Sequence, residues 1–186
     1  MTLIELVKTI TQISPETEAE IQSIFKREQL PKNYLLHRQG HICNKLFFIE
    51  KGLLRTFYYS EDGKDITYRF NDENTFTSLI DSYYSNTSSN YNIELLEDSI
   101  IYFASFSDFE KLLHQHTEIL KVYNYVLRNF VIQSSERITA LQFQNAKERY
   151  ISFSEKKATI LNRVSLGQVA SYLGITQETL SRIRGK

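Results

Sequence analysis

Residues 164–186 have the sequence VSLGQVASYLGITQETLSRIRGK, and this stretch decides how the rest of the chain is interpreted. Ser165 and Gln168 have the spacing of a capping box, in which the serine oxygen and the glutamine side chain each accept from the other residue's backbone amide. We therefore predict a helix over 166–173. It should end at Gly174, because glycine readily adopts the left-handed conformation that closes a helix.

A second short helix is predicted directly after this glycine. Thr176 can cap it, and Leu180 and Ile183 give it one apolar face over 177–184. Two helices joined by a tight glycine turn are typical of a helix-turn-helix, whose second helix enters the DNA major groove. The polar residues that we expect to contact DNA are Ser165, Thr176, Gln177, Glu178, Thr179, Ser181, Arg182 and Arg184.

Charge is unevenly distributed along the 186 residues. The chain has 22 Lys and Arg against 22 Asp and Glu, but 13 of the basic and 19 of the acidic residues lie in 1–136. Residues 137–186 therefore contain 9 basic and 3 acidic residues, so the two parts have net charges of −6 and +6. A basic end on an acidic body is typical of a chain whose end meets a polyanion.

A long helix is predicted ahead of the basic end. No Gly or Pro occurs over 118–144, and apolar residues recur there every seven positions, which is the spacing of a coiled-coil seam. The short tail cannot cover such a seam, so we expect a second copy of the chain to do so. The alternative is that the helix packs wholly on its own β body. The residues predicted for the dimer helix are Leu120, Tyr123, Leu127, Phe130, Ser134 and Leu141.

The region over 34–103 contains short runs of β-branched and aromatic residues separated by turn residues, which predicts an antiparallel barrel or sandwich. Asp62-Gly63 predicts a hairpin with a type I′ turn, and 81–90 is expected to be a surface loop. Helices are predicted over 15–29 and 106–114. The predicted strands are Leu46–Glu50, Leu53–Tyr59, Ile66–Phe70, Ile93–Leu96 and Ile100–Phe103.

The stretch ASYLGITQETLSRIR at 170–184 resembles the DNA-binding end of the Crp/Fnr superfamily of bacterial transcription regulators. Residues 47–70, FFIEKGLLRTFYYSEDGKDITYRF, are similar to the cyclic-nucleotide-binding-type β-roll, and AKERY at 146–150 is similar to the segment after the family's dimer helix. The resemblance implies an α+β fold with an N-terminal, jelly-roll-like antiparallel β-roll, a long dimerisation helix and a C-terminal winged helix-turn-helix domain. The corresponding domains are 1–116, 117–144 and 145–186.

The resemblance also implies a function. We expect a DNA-binding transcription regulator, not an enzyme, that binds a palindromic operator as a homodimer, with RNA polymerase as a further partner. Gln177, Glu178 and Arg182 match the family's recognition-helix positions that contact base edges, and Gln177 replaces the arginine common there. No run of about 20 apolar residues and no basic, apolar leader occurs, so we expect no membrane contact and a cytoplasmic location.

The sensor half departs from the family's cyclic-AMP-binding pattern. Nucleotide-binding members have a Phe-Gly-Glu-Leu segment and an Arg-Ser-Ala segment, and neither the Glu nor the Arg is present in the matching segments. We expect cyclic AMP not to bind, because a buried phosphate without a cation is strongly disfavoured. No cofactor or metal is predicted, and an unidentified small-molecule effector stays open. The single Cys43 cannot replace the four cysteines of an iron–sulfur cluster. The predicted effector-pocket residues are Phe76, Thr77, Ser78, Leu79, Asn90, Tyr91 and Asn92.

Two other classes of protein stay open at this point. A cupin-type metalloenzyme would use His37, His41 and Glu50, which form a chemically competent metal set. The spacing disfavours it, because those barrels place two histidines one residue apart and these are four apart. A β-roll adaptor that dimerises and binds a protein partner is the other alternative.

Overall fold

The computed structural model describes residues 1–185 and forms a β-rich body, one long helix and a helical C-terminal region. Lys186, the last residue of the predicted C-terminal domain, lies outside the described residues. The helices are α1 (Leu3–Ile10), α2 (Pro15–Ile24), α3 (Ile80–Ser85), α4 (Phe106–Gln115), α5 (Ile119–Phe143), α6 (Ala146–Lys156), α7 (Ala158–Leu161), α8 (Leu166–Leu173) and α9 (Gln177–Arg184). The strands are β1 (Lys26–Leu30), β2 (Leu35–His37), β3 (Lys45–Lys51), β4 (Leu54–Tyr59), β5 (Asp65–Asn71), β6 (Phe76–Thr77), β7 (Asn92–Leu95) and β8 (Ser99–Ser105).

Two four-stranded antiparallel sheets form the β-roll, with the strand orders β1-β8-β3-β6 and β2-β7-β4-β5. The apolar run of β3 is buried on both of its faces. Phe47 and Ile49 face the core between the sheets, whereas Leu46 and Phe48 face the core under α1, α2, α4 and the start of α5. Because successive side chains of a strand face opposite sides of the sheet, the same run of residues contributes to both cores. The predicted α+β fold with its β-roll is confirmed.

Two predicted segments differ in the structure. The helix expected over 15–29 ends at Ile24, and the chain continues as β1, which pairs with β8 along its whole length. Pairing with a distant strand here overrides the helical pattern of the local sequence. The loop expected over 81–90 begins with the short helix α3, whose Tyr83 ring stacks on Phe106 at 4.3 Å between centroids.

The hairpin at Asp62-Gly63 forms between β4 and β5, but its turn is not type I′. Gly63 has a φ of 78°, whereas Asp62 is not among the residues with positive φ, and type I′ needs positive φ at both. The Gly63 amide donates to the Ser60 carbonyl at 2.8 Å and the Ser60 amide donates to the Lys64 carbonyl at 3.0 Å. The left-handed glycine therefore follows the turn, and the aspartate avoids the unfavourable conformation.

The C-terminal helices pack on the β-roll of the same chain. Their core cluster contains Phe153, Ile160, Leu173 and Leu180 together with Leu53, Phe70 and Leu96 of the β-roll. Ser171 of α8 also bridges to β5, because it accepts from the Thr67 amide at 2.8 Å and donates to the Asp65 carbonyl at 3.1 Å. After β8 the described residues form helices only, so the expected wing has no strand within them. None of the helices within residues 1–185 is long and apolar enough to cross a membrane.

An ionic clamp, which we define as Arg163 with Glu73 and Glu97, holds the two parts together. The guanidinium donates four hydrogen bonds of 2.6 to 3.1 Å to the two carboxylates, and Lys157 approaches Asp72 at 3.5 Å nearby. Burial alone would raise the pKa of Glu73, but hydrogen bonds from Arg163 and from backbone amides hold that pKa below its ordinary value. The clamp therefore joins the β5–β6 connection to the segment before α8.

We predict that Arg163→Ala lowers the free energy of unfolding by about 1–3 kcal/mol, because two carboxylates then face each other without their shared cation. The lowered pKa of Glu73 means that the clamp's stabilisation is present above the ordinary glutamate pKa and is lost as the pH falls through the lowered value. Urea unfolding of both proteins between pH 7 and pH 3 measures the effect. Arg128→Ala is the matched control, since Arg128 is exposed and has no ion pair among residues 1–185. Equal losses in the two variants would contradict the prediction.

Candidate functional site

The helix-turn-helix has the local geometry that its sequence predicts. Ser165 and Gln168 form the reciprocal capping box, and Thr176 accepts from the Thr179 amide at the start of α9. Gly174 has a φ of 67° and donates its amide to carbonyls in the last turn of α8. The left-handed glycine therefore ends α8 where expected and allows the chain to turn into α9.

One face of α9 is exposed and polar, and the opposite face is buried. Leu180 is 0% exposed in the C-terminal core, whereas Gln177, Glu178, Ser181 and Arg182 are exposed. Backbone hydrogen bonding at the helix N-terminus, assisted by the Thr176 side chain, lowers the pKa of Glu178, so this group is an anion near neutral pH. The helix therefore presents an acceptor, an amide, a hydroxyl and a guanidinium on one surface.

The other predicted DNA-contacting residues lie at the edges of this face. Arg184 is exposed in the last turn of α9. Ser165 and Thr176 are exposed, and their side-chain oxygens accept the capping hydrogen bonds of α8 and α9. Thr179 is half-buried, and its hydroxyl lies 3.1 Å from that of Thr176. The fold thus brings all eight residues to the N-terminal ends and outer surface of the two helices.

Several of the basic residues in 137–186 form contacts within the chain. Arg137 donates to the Tyr172 carbonyl, and Arg149 donates to the Leu173 carbonyl at 2.9 Å, so both bind the C-terminal end of α8. This end carries the negative pole of the helix dipole, which favours cations. Arg163 is held in the ionic clamp. The cations on the polar face of α9 are Arg182 and Arg184.

Helix α5 carries an apolar stripe, which we define as Leu120, Leu127, Val131, Ile138 and Leu141, and all of these except the half-buried Leu127 are exposed. Within the protomer, Val131 is 62% exposed and Ile138 is 56% exposed. Spacings of three, four and seven place these residues on one side of the helix, as in a coiled-coil seam. Val131 and Ile138 are not among the residues predicted for the dimer helix, yet they are the most exposed members of the stripe.

Two residues predicted for the dimer helix face the chain's own β-roll. Tyr123 packs against the N-terminal core, and its hydroxyl lies 3.3 Å from that of Tyr84. Phe130 lies beneath the guanidinium of Arg69 on β5, at 4.2 Å from the ring centroid. The heptad pattern does not distinguish the two sides of the helix, because apolar residues occur on both. One side of α5 therefore packs on the β-roll, as the alternative expects, and the other side is exposed in the protomer.

A cavity of about 290 Å³ lies between the β-roll and α5. Three of the predicted effector residues, Phe76, Thr77 and Ser78, line it. Residues on β5 and on the inner side of α5 also line it, and the sequence pattern did not identify them because only the tertiary fold brings them next to β6. They are Arg69, Asn71, Tyr125, Val126, Asn129, Phe130 and Gln133.

The other four predicted effector residues do not line this cavity. Leu79 is buried in the core between the sheets, and the Asn92 side chain accepts from the Gln39 amide at 3.0 Å. The Tyr91 ring packs against the Tyr58 and Tyr68 rings at 5.7 and 5.0 Å, and Asn90 is exposed. Leu79, Tyr91 and Asn92 are held by contacts elsewhere in the β-roll, so only residues 76–78 of the predicted set reach the cavity.

The residues of the metalloenzyme alternative are not assembled as a metal site. Glu50 accepts two hydrogen bonds of 2.8 Å from Arg27, and His37 is buried. Burial, with the nearby His41, lowers the pKa of His37. Within residues 1–185, no group of three or more His, Cys, Asp and Glu side chains is placed to hold a metal ion.

Comparison with known proteins shows which proteins the chain is similar to. Residues 27–116 match the cyclic nucleotide-binding domain family. An anaerobic regulatory protein of Pasteurella multocida is 22% identical over 182 residues, which cover 90% of this chain and 65% of that protein. Electron transport regulator A of Shewanella oneidensis is 22% identical over 174 residues, which cover 88% of this chain and 69% of that protein. The chain thus spans about two thirds of the length of these relatives.

Solved structures agree in fold over nearly the whole chain. FixK2 from Bradyrhizobium japonicum has a TM-score of 0.75 at 16% identity, covering 87% of this chain and 83% of its own. The c-di-GMP responsive regulator CLP of Xanthomonas campestris has a TM-score of 0.75 at 13% identity, with coverages of 92% and 90%. A CooA mutant from Carboxydothermus hydrogenoformans has a TM-score of 0.74 at 18% identity, with coverages of 100% and 83%.

These similarities define a cyclic nucleotide-binding domain followed by a long helix and a C-terminal helical region. The resemblance expected from the sequence is confirmed. The chain is similar in sequence to regulatory proteins and in fold to Crp/Fnr-type regulators.

Proposed function

We propose that the chain binds a palindromic DNA operator as a homodimer and regulates transcription from it. The observation that carries this proposal is the exposed polar face of α9, which projects from a helix whose other side is anchored by the fully buried Leu180. A helix fixed in this way can present its N-terminal side chains to base edges in the major groove. We propose the division into 1–116 as sensor, 117–144 as dimer helix and 145–186 as DNA-binding domain.

The side chains of α9 suit direct contact with bases. Arginine pairs with guanine through two hydrogen bonds, glutamine pairs with adenine and a carboxylate accepts from cytosine. We assign these roles to Arg182, Gln177 and Glu178. Ser165, Thr176, Thr179, Ser181 and Arg184 surround them and supply hydroxyls, helix N-terminal amides and a cation for phosphate contacts, which fix the position of the protein on the duplex.

The exposed stripe of α5 supports the homodimer. A row of apolar side chains at heptad spacing is covered when two copies of the helix pack together, and burying it removes apolar surface from water. A two-fold axis along this seam would place two copies of α9 in successive major grooves, about 34 Å apart. The operator would then be palindromic because the protein dimer is symmetric.

We further propose that the β-roll is a sensor that does not use cyclic AMP. The residue at the family's glutamate position is Ser78, whose hydroxyl donates to the Lys45 carbonyl at 2.7 Å, and the Asn90–Asn92 segment supplies no cation for a phosphate. These residues do not fit a cyclic nucleotide bound in the family's manner. A regulator of this kind works in the cytoplasm, where we expect it to meet its operator and RNA polymerase.

Selection from a pool of random DNA duplexes tests the proposed function. We expect the purified chain to enrich a palindrome whose half-sites are one helical turn apart, with no nucleotide added.

We predict that Arg182→Ala weakens binding to the selected site by about 1–3 kcal/mol, because a base contact is lost. Arg128→Ala, on exposed α5, is the control and should bind normally. Equal weakening on selected and random duplexes would make Arg182 a phosphate contact, and failure to enrich any palindrome would contradict the proposal.

Charged substitutions in the apolar stripe of α5 test the proposed dimer. We predict that Val131→Glu combined with Ile138→Glu gives a monomer, because charges would have to be buried in the seam. Both side chains are exposed in the protomer, so its fold should be unaffected. Ile132→Glu is the matched control, since Ile132 is 49% exposed on a different side of α5. Sedimentation equilibrium measures the mass, and an unchanged mass in the double variant would refute the seam.

Isothermal titration with cyclic AMP tests the sensor. We expect no binding heat at millimolar nucleotide, because a buried phosphate would lack a cation at the family's position. The same preparation must bind the selected duplex, which shows that the protein is competent. Saturable binding of cyclic AMP, or a palindrome that is enriched only with the nucleotide, would contradict this prediction.

A further inference from the structure

Arg69 is a half-buried cation without a carboxylate partner among residues 1–185. It projects from β5 toward α5, where its guanidinium lies 4.2 Å from the Phe130 ring centroid and 5.4 Å from that of Tyr68. One of its nitrogens donates to the Ser134 hydroxyl at 3.2 Å. By contrast, Arg55 on the neighbouring strand is paired with both Asp65 and Glu94.

The charge of Arg69 is therefore incompletely compensated. Burial lowers the pKa of Arg69, since desolvation disfavours the charged form, while the surrounding tyrosines act in the opposite direction. Arginine nevertheless stays protonated in proteins. Contact with aromatic rings offsets part of the desolvation, but the guanidinium keeps the capacity to bind an anion.

The surroundings of Arg69 form a ligand-sized site. It lines the cavity of about 290 Å³ between the β-roll and α5, and no Asp or Glu is among the lining residues. Asn71, Asn129 and Gln133 add polar groups, and Leu46, Phe76 and Val126 form an apolar wall. A cavity at the lower end of the usual size range, with one cation and a mostly apolar wall, suits a small amphipathic anion.

We propose that this cavity binds a small organic acid whose carboxylate pairs with Arg69 and whose apolar part packs against Phe76, Val126 and Phe130. The inference rests on the proposed sensor role of the β-roll and names the chemical class of its ligand. The cation comes from β5, outside the two segments that carry the family's nucleotide-binding residues. A guanidinium binds a carboxylate through two parallel hydrogen bonds, which orients the acid within the cavity.

Thermal unfolding of the full chain with matched probes tests the proposal. The probes are benzoate and 3-phenylpropanoate at ~10 mM, compared with benzamide and 3-phenylpropanamide, which have the same shape without the charge. We expect the carboxylates to raise the Tm and the amides to leave it unchanged. Affinities from titration calorimetry should fall at least about tenfold in Arg69→Gln, since a charge-assisted pair is lost. Arg128→Gln, which removes an exposed charge from α5, should bind as the parent does.

A second variant keeps the test independent of any effect of Arg69 on folding. Val126→Trp fills the cavity and retains the cation, so it should also abolish carboxylate binding. Absence of carboxylate binding to the parent chain, equal stabilisation by the amides, or unchanged affinity in both variants would each overturn the proposal. Duplex binding is measured separately. Operator binding without acid binding overturns this inference alone, whereas acid binding without operator binding overturns only the proposed DNA-binding role.

Discussion

The position of α9 depends on the contact of three aromatic rings. Phe70 of β5 packs against Phe153 of α6 and Tyr172 of α8, at centroid distances of 6.3 and 5.3 Å, and the two helical rings lie 5.1 Å apart. Leu180 of α9 is buried in the same cluster. The β-roll and the helix-turn-helix therefore share one apolar core, which sets the direction in which α9 points relative to the β-roll.

Polar contacts around this core join the cavity to the helices. The segment from Asn71 to Thr75 contributes to the cavity wall at Asn71, Asn74 and Thr75. Between these positions, Asp72 approaches Lys157 and Glu73 binds Arg163. A ligand that displaces this connection would act directly on the ionic clamp, because neighbouring residues of one short segment face the cavity and the C-terminal region. This arrangement provides a contiguous physical route between the cavity and the C-terminal helices.

Helix α5 contributes to two surfaces, one on each of its sides. Its inner side, with Val126 and Phe130, closes the cavity, and its outer side carries the apolar stripe with Val131 and Ile138. Ser134 lies between the two sides and accepts from Arg69. A single change in the rotation of this helix would alter the cavity and the proposed dimer seam together, since a rigid helix cannot move one side alone.

The sequence by itself determined the features whose causes are local. Capping side chains at Ser165 and Thr176 and the left-handed Gly174 define the helix-turn-helix, and alternating apolar runs define the strands of the β-roll. Contacts between distant segments decided the rest: β8 draws Lys26–Leu30 out of a helical pattern, and the fold turns Tyr123 and Phe130 toward the β-roll. Arg69 likewise belongs to no sequence motif that would single it out. Its place in a cavity exists only because β5 and α5 pack together, and local periodicity carries no information about which distant surface an element will meet.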